Sequence, residues 1–277
     1  MSDIAISCEF FPPRDDEGQD RLMENVVPKL AGLQPGYFSV TYGAGGTTRD
    51  GTEQTVRRLL QAGHQAHPHL SLGGTDAATM QAILDGYRDM GVTHIVALRG
   101  DQPSGMGGDR FAHNAEALMR VIREHSGSHF KLIVAAYPEV HPDAVDAESD
   151  LDFFARKVDA GADKAITQYF YNPEAYADFL NRCTQRNINI PIIPGIMPIT
   201  NYASLRRFSD NCGADIPRWL DKRLQTLAED EAGLRHFGEE VVTQLCERLI
   251  NMGAPSLHFY TLNRWGATQR ICQNLSL

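Results

Sequence analysis

The chain has 277 residues, 42% hydrophobic and 22% charged, so disorder is excluded and one large core can be buried. Its 26 basic and 35 acidic residues leave a net charge of −9, with no basic run longer than Arg57-Arg58 or Arg206-Arg207, which argues against a nucleic-acid surface. Five cysteines, Cys8, Cys183, Cys212, Cys246 and Cys272, stand singly with no C-x-x-C spacing, Met1-Ser2-Asp3 starts no signal peptide, and no apolar run nears membrane-spanning length; the expectation is a reduced, soluble, cytoplasmic protein.

In chain order, Ile4 to Arg14 (I-A-I-S-C-E-F-F-P-P-R) reads as a strand carrying Glu9 near its end, with Pro12 and Pro13 stopping the ladder. A helix follows from about Gln19 to Leu33, with Leu22, Val26, Val27 and Leu30 at helical spacing. Strand Tyr37 to Gly43 and helix Thr52 to Ala62 come next, the helix preceded by capping candidates Thr47, Thr48 and Asp50. The pattern repeats as Pro68 to Leu72 with Ala77 to Met90, His94 to Arg99 with Ala115 to Glu124, and Lys131 to Tyr137 with Leu151 to Ala160. It repeats again as Lys164 to Phe170 with Pro173 to Arg186, and Ile192 to Met197 with Tyr202 to Phe208. An extra helical stretch from about Pro217 to Phe237 and a helix from Glu239 to Met252 precede the last strand, Ser256 to Leu262. Eight strand–helix units of roughly thirty residues predict a single α/β domain over residues 1–277, a (β/α)8 TIM barrel with extra helices before the last strand. No linker divides it, and Ser104 to Asp109 (S-G-M-G-G-D) reads as a loop on the catalytic face.

Period-two parity assigns residues to the barrel interior: Ala5, Ser7 and Glu9; Ser39 and Thr41; His67, His69 and Ser71; Arg99 and Asp101; Ile166 and Gln168. Small and polar groups thus converge on the carboxyl-terminal mouth, where such barrels hold their chemistry. Glu9 reads either as a structural carboxylate paired with an arginine or as a general acid whose pKa is raised beside Phe10 and Phe11. Asp101, in L-R-G-D-Q-P, is either catalytic or paired with Arg99, and Gly100 allows close backbone approach. The run Thr41 to Thr48 is a loop and N-cap, or a cradle for a phosphate or flat ring; neither a G-x-G-x-x-G nor a P-loop is present.

His67 and His69, with His141 as third ligand, offer an alternative, a metal-dependent hydrolase. Lys157 and Lys164 would suit a Schiff-base lyase, but one lies on a helix and the other starts its strand. Asp150, Phe153 and Lys157 share one side of a helix and read by default as a solvated face. Tyr260, Asn263 and Arg264 offer a hydroxyl, an amide and a planar fork at the end of the last strand; Arg264 could equally tie down the C-terminal helix.

Collinear motifs then carry a resemblance: E-F-F-P-P-R at Glu9 to Arg14, V-T-Y-G-A at Val40 to Ala44, P-H-L at Pro68 to Leu70, H-I-V-A-L-R-G-D at His94 to Asp101 and A-A-Y-P-E-V-H-P at Ala135 to Pro142. K-V-D-A-G-A-D at Lys157 to Asp163, A-I-T-Q at Ala165 to Gln168, I-P-G-I at Ile193 to Ile196 and H-F-Y-T-L-N-R at His258 to Arg264 continue it. Together they resemble bacterial methylenetetrahydrofolate reductase. The resemblance implies non-covalent FAD on the barrel's carboxyl-terminal face, with NADH or NADPH and 5,10-methylenetetrahydrofolate using one side of the flavin in turn, in a ping-pong cycle. By position, Glu9 resembles the general acid and Asp101 the carboxylate near flavin and pterin. Flavin contacts would fall on Thr41, Tyr42, Ala44, His69, Arg99, Gly100, Asp101, Ala112, Tyr137, His141, Ala144, Asp150, Phe153, Arg156 and Lys157. Asp101, Gln168, Phe208 and Arg264 would meet substrate, and no resident metal is expected.

The G-G-T-T after Ala44 and Ser204, where a glutamine can help hold folate, depart from the family pattern. The chain ends soon after the barrel, so the S-adenosylmethionine-sensing domain of eukaryotic relatives, and its inhibition, are not expected. Relatives form oligomers, so a homo-oligomer is. No fingerprint separates NADH from NADPH.

Overall fold

A computed structural model describes residues 4–42, 49–73, 75–99 and 114–277. Strands β1 (Ala5–Phe10), β2 (Phe38–Val40), β3 (Ala66–Leu70), β4 (His94–Ala97), β5 (Lys131–Ala136), β6 (Lys164–Tyr169), β7 (Ile192–Ile196) and β8 (Ser256–Tyr260) pair in sequence order and close into a barrel. All the pairings are parallel, β8 returning to β1 with Glu9 opposite Tyr260. Around them run α1 (Asp16–Arg21), a π-helical turn (Leu22–Val26), α2 (Val27–Ala31), α3 (Arg49–Gln61), α4 (Ala77–Asp89), α5 (Ala115–Ser126), α6 (Ala147–Asp159), α7 (Pro173–Gln185), α8 (Tyr202–Cys212), α9 (Arg218–Thr226), α10 (Glu231–Asn251) and α11 (Gly266–Asn274). The expected (β/α)8 barrel with extra helices before its last strand is the observed fold.

Helix ends follow local chemistry. Asp76, Asn114, Asp146 and Asn201 each accept a backbone N–H of the first turn, and Pro173 sits where its missing N–H is harmless. The division near Phe237 expected from sequence is not found. The break falls at residues 227–230, where Asp230 caps α10 by accepting Gly233 N–H at 2.9 Å, and α10 runs through Gly238 without interruption. Gly238 is a contact point: a Cβ there would lie 2.6 Å from Ile199 O and 2.8 Å from Ile199 Cβ.

Two cores result. The large one lies between strands and helices and takes one parity of each strand: Ile6, Cys8 and Phe10 from β1, Ile95 and Ala97 from β4. The small one lies inside the barrel, formed by Val96, Ile133, Ile166 and Ile193 with Leu98 and Tyr260 against them. This corrects the parity expected for β4. Val96 and Leu98 point inward, and the ladder ends at Ala97, so Arg99 reaches the mouth from beyond the strand. The interior is therefore apolar beside β4 to β7 and polar beside β1 to β3 and β8, which concentrates hydrogen-bonding groups at Glu9.

Candidate active site

Glu9 ends the inward row of β1, 9% exposed. Its Oε2 lies 3.3 Å from His258 Nε2 and 3.2 Å from His69 Nε2, and it accepts Ser39 Oγ–H at 3.4 Å. The His69 approach has ion-pair distance without hydrogen-bond alignment. Behind His258, Nδ1 meets Ser7 Oγ at 2.7 Å, which fixes the ring. Burial pushes the Glu9 carboxyl up, but the two imidazoles outweigh it and hold the group down at about 2. The raised pKa expected from Phe10 and Phe11 is thus not found. Phe10 belongs to the outer core and Phe11 is 44% exposed, so neither isolates the carboxylate, whereas the inward faces of β3 and β8 supply its imidazole partners. Among the described residues no arginine pairs with Glu9: its partners are these imidazoles and the Ser39 hydroxyl.

Below this cluster the floor is a stack of rings. Tyr37 lies over His67 at 3.9 Å between centroids, and His67 over His94 at 4.4 Å. Burial, then His94 and Lys164, press His67 down to about 2, so it is neutral. The alternative ligand set separates here: His67 is sandwiched in the floor, His69 is turned to Glu9, and His141 packs on Tyr137 at 4.5 Å. Among the described residues no group of three His, Cys, Asp or Glu could hold a metal ion.

Above Glu9 opens a cavity of about 560 Å³ at the carboxyl-terminal mouth. Of the residues singled out from sequence, Glu9, Thr41, Tyr42, His69, Arg99, Tyr137, His141, Gln168, Phe208 and Tyr260 line it together. Ala44, Gly100, Asp101 and Ala112, with the loop Ser104 to Asp109, lie outside the described residues. Arg99 is ion-paired with Asp143 at 2.7 Å, on the loop after β5.

The α6 residues do not line the cavity; Phe153 and Arg156 are exposed, but Asp150 and Lys157 are turned to its wall. Lys157 Nζ donates to Ala135 O at 2.5 Å, burial bringing its pKa down to about 8, and Asp150 Oδ2 accepts His141 N–H at 2.9 Å. They shape the wall on which Tyr137 and His141 stand. Arg156 covers the Phe153 ring at 4.0 Å, and the loop residue Ala144 donates its N–H to His141 O at 2.9 Å. Arg264 is exposed and off the lining, and the helix-fastening role falls to Arg270, paired with Glu239 on α10.

His258, Thr261 and Glu139 went unread in the sequence. The alternation Ser256, His258, Tyr260 was the available signal for the first, since Tyr260 was already placed at the mouth. Leu262 and Asn263, both left-handed at φ 51° and 56°, turn the chain so that Asn263 exchanges hydrogen bonds with the Phe11 backbone at 2.9 and 2.8 Å. Thr261 Oγ1 donates to Glu9 O at 2.6 Å, so the end of β8 clamps the carboxyl-terminal end of β1.

A cavity with apolar Val96, Leu98 and Ile166 at its base and hydroxyl, imidazole and guanidinium groups around it suits a flat ring system with polar edges. A family model described as methylenetetrahydrofolate reductase matches residues 1–276. The chain is 37% identical over 276 residues to 5,10-methylenetetrahydrofolate reductase of Escherichia coli (strain K12), covering 99% of this chain and 91% of that one. It is 38% identical to the enzyme of that name from Buchnera aphidicola subsp. Schizaphis graminum, covering 99% and 92%. Methylenetetrahydrofolate reductase (NADH) 1 of Arabidopsis thaliana is 35% identical, with 99% of this chain matching 48% of the plant protein. A solved Clostridium thermocellum protein, described as binding two copies of 5-methyl-5,6,7,8-tetrahydrofolic acid, shares the fold with a TM-score of 0.67 at 16% identity, covering 97% and 93%.

Proposed function

The chain belongs to the methylenetetrahydrofolate reductase family, an oxidoreductase family, and we propose that it reduces 5,10-methylenetetrahydrofolate to 5-methyltetrahydrofolate with NADH or NADPH, in a ping-pong cycle through non-covalently bound FAD. The observation that carries this reading is the buried carboxylate of Glu9, held by two imidazoles at the base of a cavity wide enough for a ring system. The NADH in the plant relative's name and the methyltetrahydrofolate in the description of the Clostridium thermocellum protein fit the same donor and product.

FAD, when bound, supplies a two-electron carrier between nicotinamide and the methylene carbon. Thr41, Tyr42, His69, Arg99, Tyr137 and His141 would hold its ring and ribityl chain, on a wall fixed by Asp150 and Lys157. By family position Ala44, Gly100, Asp101, Ala112, Ala144, Phe153 and Arg156 complete the cofactor set, and Gln168, Phe208 and Arg264 hold the folate. Glu9 delivers the proton that assists opening of the folate's bridging ring, and Asp101 steadies the cationic folate that results. Burial favours the neutral Glu9 carboxyl, the neighbouring imidazoles favour the ion, and a folate expelling water from the cavity shifts the balance toward the acid.

The test is direct. Purified protein supplied with FAD should turn yellow, be bleached anaerobically by NADH or NADPH, and regain its colour on adding methylenetetrahydrofolate. Protein that takes up no flavin sinks the reading, and flavin reduced by neither nicotinamide leaves only a binding barrel. Comparing bleaching rates with the two nicotinamides identifies the donor.

A further inference from the structure

Glu139 stands on the β5–α6 loop between Tyr137 and His141, outside the cavity lining and outside every role assigned so far. Its Oε2 accepts the backbone N–H of Asp215 at 2.8 Å, just past the end of α8 and 76 residues away in sequence. Beside this bond the Pro142 ring fills the space over Gly213, the left-handed residue (φ 75°) that closes α8. A Cβ at Gly213 would lie 3.0 Å from Pro142 Cδ and closer still to Cγ, so loop and helix end meet without a gap. Both sides of this seam carry cavity residues: Tyr137 and His141 on the loop, Phe208 and Cys212 on α8. Among the described residues this part of α8 is also tied by a bond of 2.9 Å between Tyr169 Oη and Ser209 Oγ.

We infer that Glu139 is a positioning residue: by holding the Asp215 N–H it fixes the carboxyl-terminal half of α8, and with it Phe208, against the loop bearing Tyr137 and His141, and so sets the affinity for the folate. This rests on the reading that Phe208 holds the folate. The placement runs against the carboxyl's own preference: burial, reinforced by the Asp215 carboxylate, raises Glu139 to about 7 although the N–H pulls the other way. A carboxyl in such a position is a structural acceptor that the seam requires, and a neutral acceptor of the same shape should replace it.

The experiment uses the flavin-loaded protein with Glu139→Gln, which keeps an acceptor oxygen, and Glu139→Ala, which removes it. Hydrogen exchange over residues 208–216, followed by mass spectrometry, should run about tenfold faster in Glu139→Ala and at the wild-type rate in Glu139→Gln. KM for methylenetetrahydrofolate should rise about tenfold in Glu139→Ala with kcat within about twofold, and Glu139→Gln should restore it. Unchanged exchange in Glu139→Ala, a glutamine variant as impaired as the alanine one, or a fall in kcat at constant KM would each overturn the inference. A protein that turns over no folate refutes the proposed reaction instead, and the exchange measurement still decides the seam.

Discussion

Glu9→Gln should lose folate reduction by about 10²- to 10⁴-fold while reduction of bound flavin by NADH stays within about twofold of wild type. Glutamine keeps the shape of the side chain and can still accept the Ser39 hydroxyl, so cavity and cofactor wall should survive; what disappears is the group that gives and regains a proton. Stopped-flow measurement of the two half-reactions separates the outcomes. A comparable loss in both would show that Glu9 builds the site without serving the folate. The same variant carries a pH signature. Glu9 is held at about 2 in the folded chain against an ordinary 4.5, so its contribution to stability is fully present above pH 4.5 and is lost as pH falls toward 2. Denaturant midpoints of wild type should therefore decline over that window more steeply than those of Glu9→Gln.

The fold was legible because the signals that set it are local. Eight apolar runs alternating with helical spacing leave few arrangements for one domain, and capping residues such as Asp146 and Asn201 mark helix starts within a few positions. Parity placed Ser7, Glu9, Ser39 and His69 on one face, and the barrel brings them together. Reading failed where contacts across the barrel decide. The division placed between Phe237 and Glu239 falls on Gly238, which lies inside α10 where that helix crosses Ile199. In β4 the Arg99–Asp101 parity was read through a strand that in fact ends at Ala97, so inside and outside were exchanged. Lys157 looked solvated because helical spacing shows which side a residue takes but not that its amine finds the Ala135 carbonyl. The charge state of Glu9 was missed for a related reason: the phenylalanines beside it in sequence do not set its surroundings, and two histidines remote in sequence do.

Gly195→Ala should be among the most damaging single-methyl additions in this chain. On β7, the new Cβ would overlap Thr167 O and lie 2.5 Å from Tyr260 Cε2 and 2.9 Å from its Oη. Neither neighbour can yield cheaply. The register between β6 and β7 shifts between Ile166 and Tyr169, and within that irregularity the Thr167 carbonyl accepts Tyr260 Oη–H at 2.7 Å while Thr167 Oγ1 accepts Gly195 N–H at 2.9 Å. Moving the carbonyl strains the bulge next to Gln168; moving the ring breaks its hydrogen bond and lifts it from the small core of Val96, Ile133, Ile166 and Ile193. Overpacking of this kind costs about 1–3 kcal/mol, and loss of the Tyr260 bond brings the total to about 2–4 kcal/mol, a fall of roughly 3–7 °C in Tm for a chain of this size. Gly86→Ala is the control: on α4 nothing lies within 4 Å of its added Cβ, and alanine should stabilise the helix by up to about 1 kcal/mol. Thermal melts of the two variants decide the matter, and a Gly195→Ala protein melting level with Gly86→Ala would show that Tyr260 moves aside freely. Where Gly195→Ala does fold, the ring displaced from Thr167 has the cavity mouth to enter, so weakened folate binding should accompany the lowered Tm, whereas damage confined to β7 would lower Tm alone.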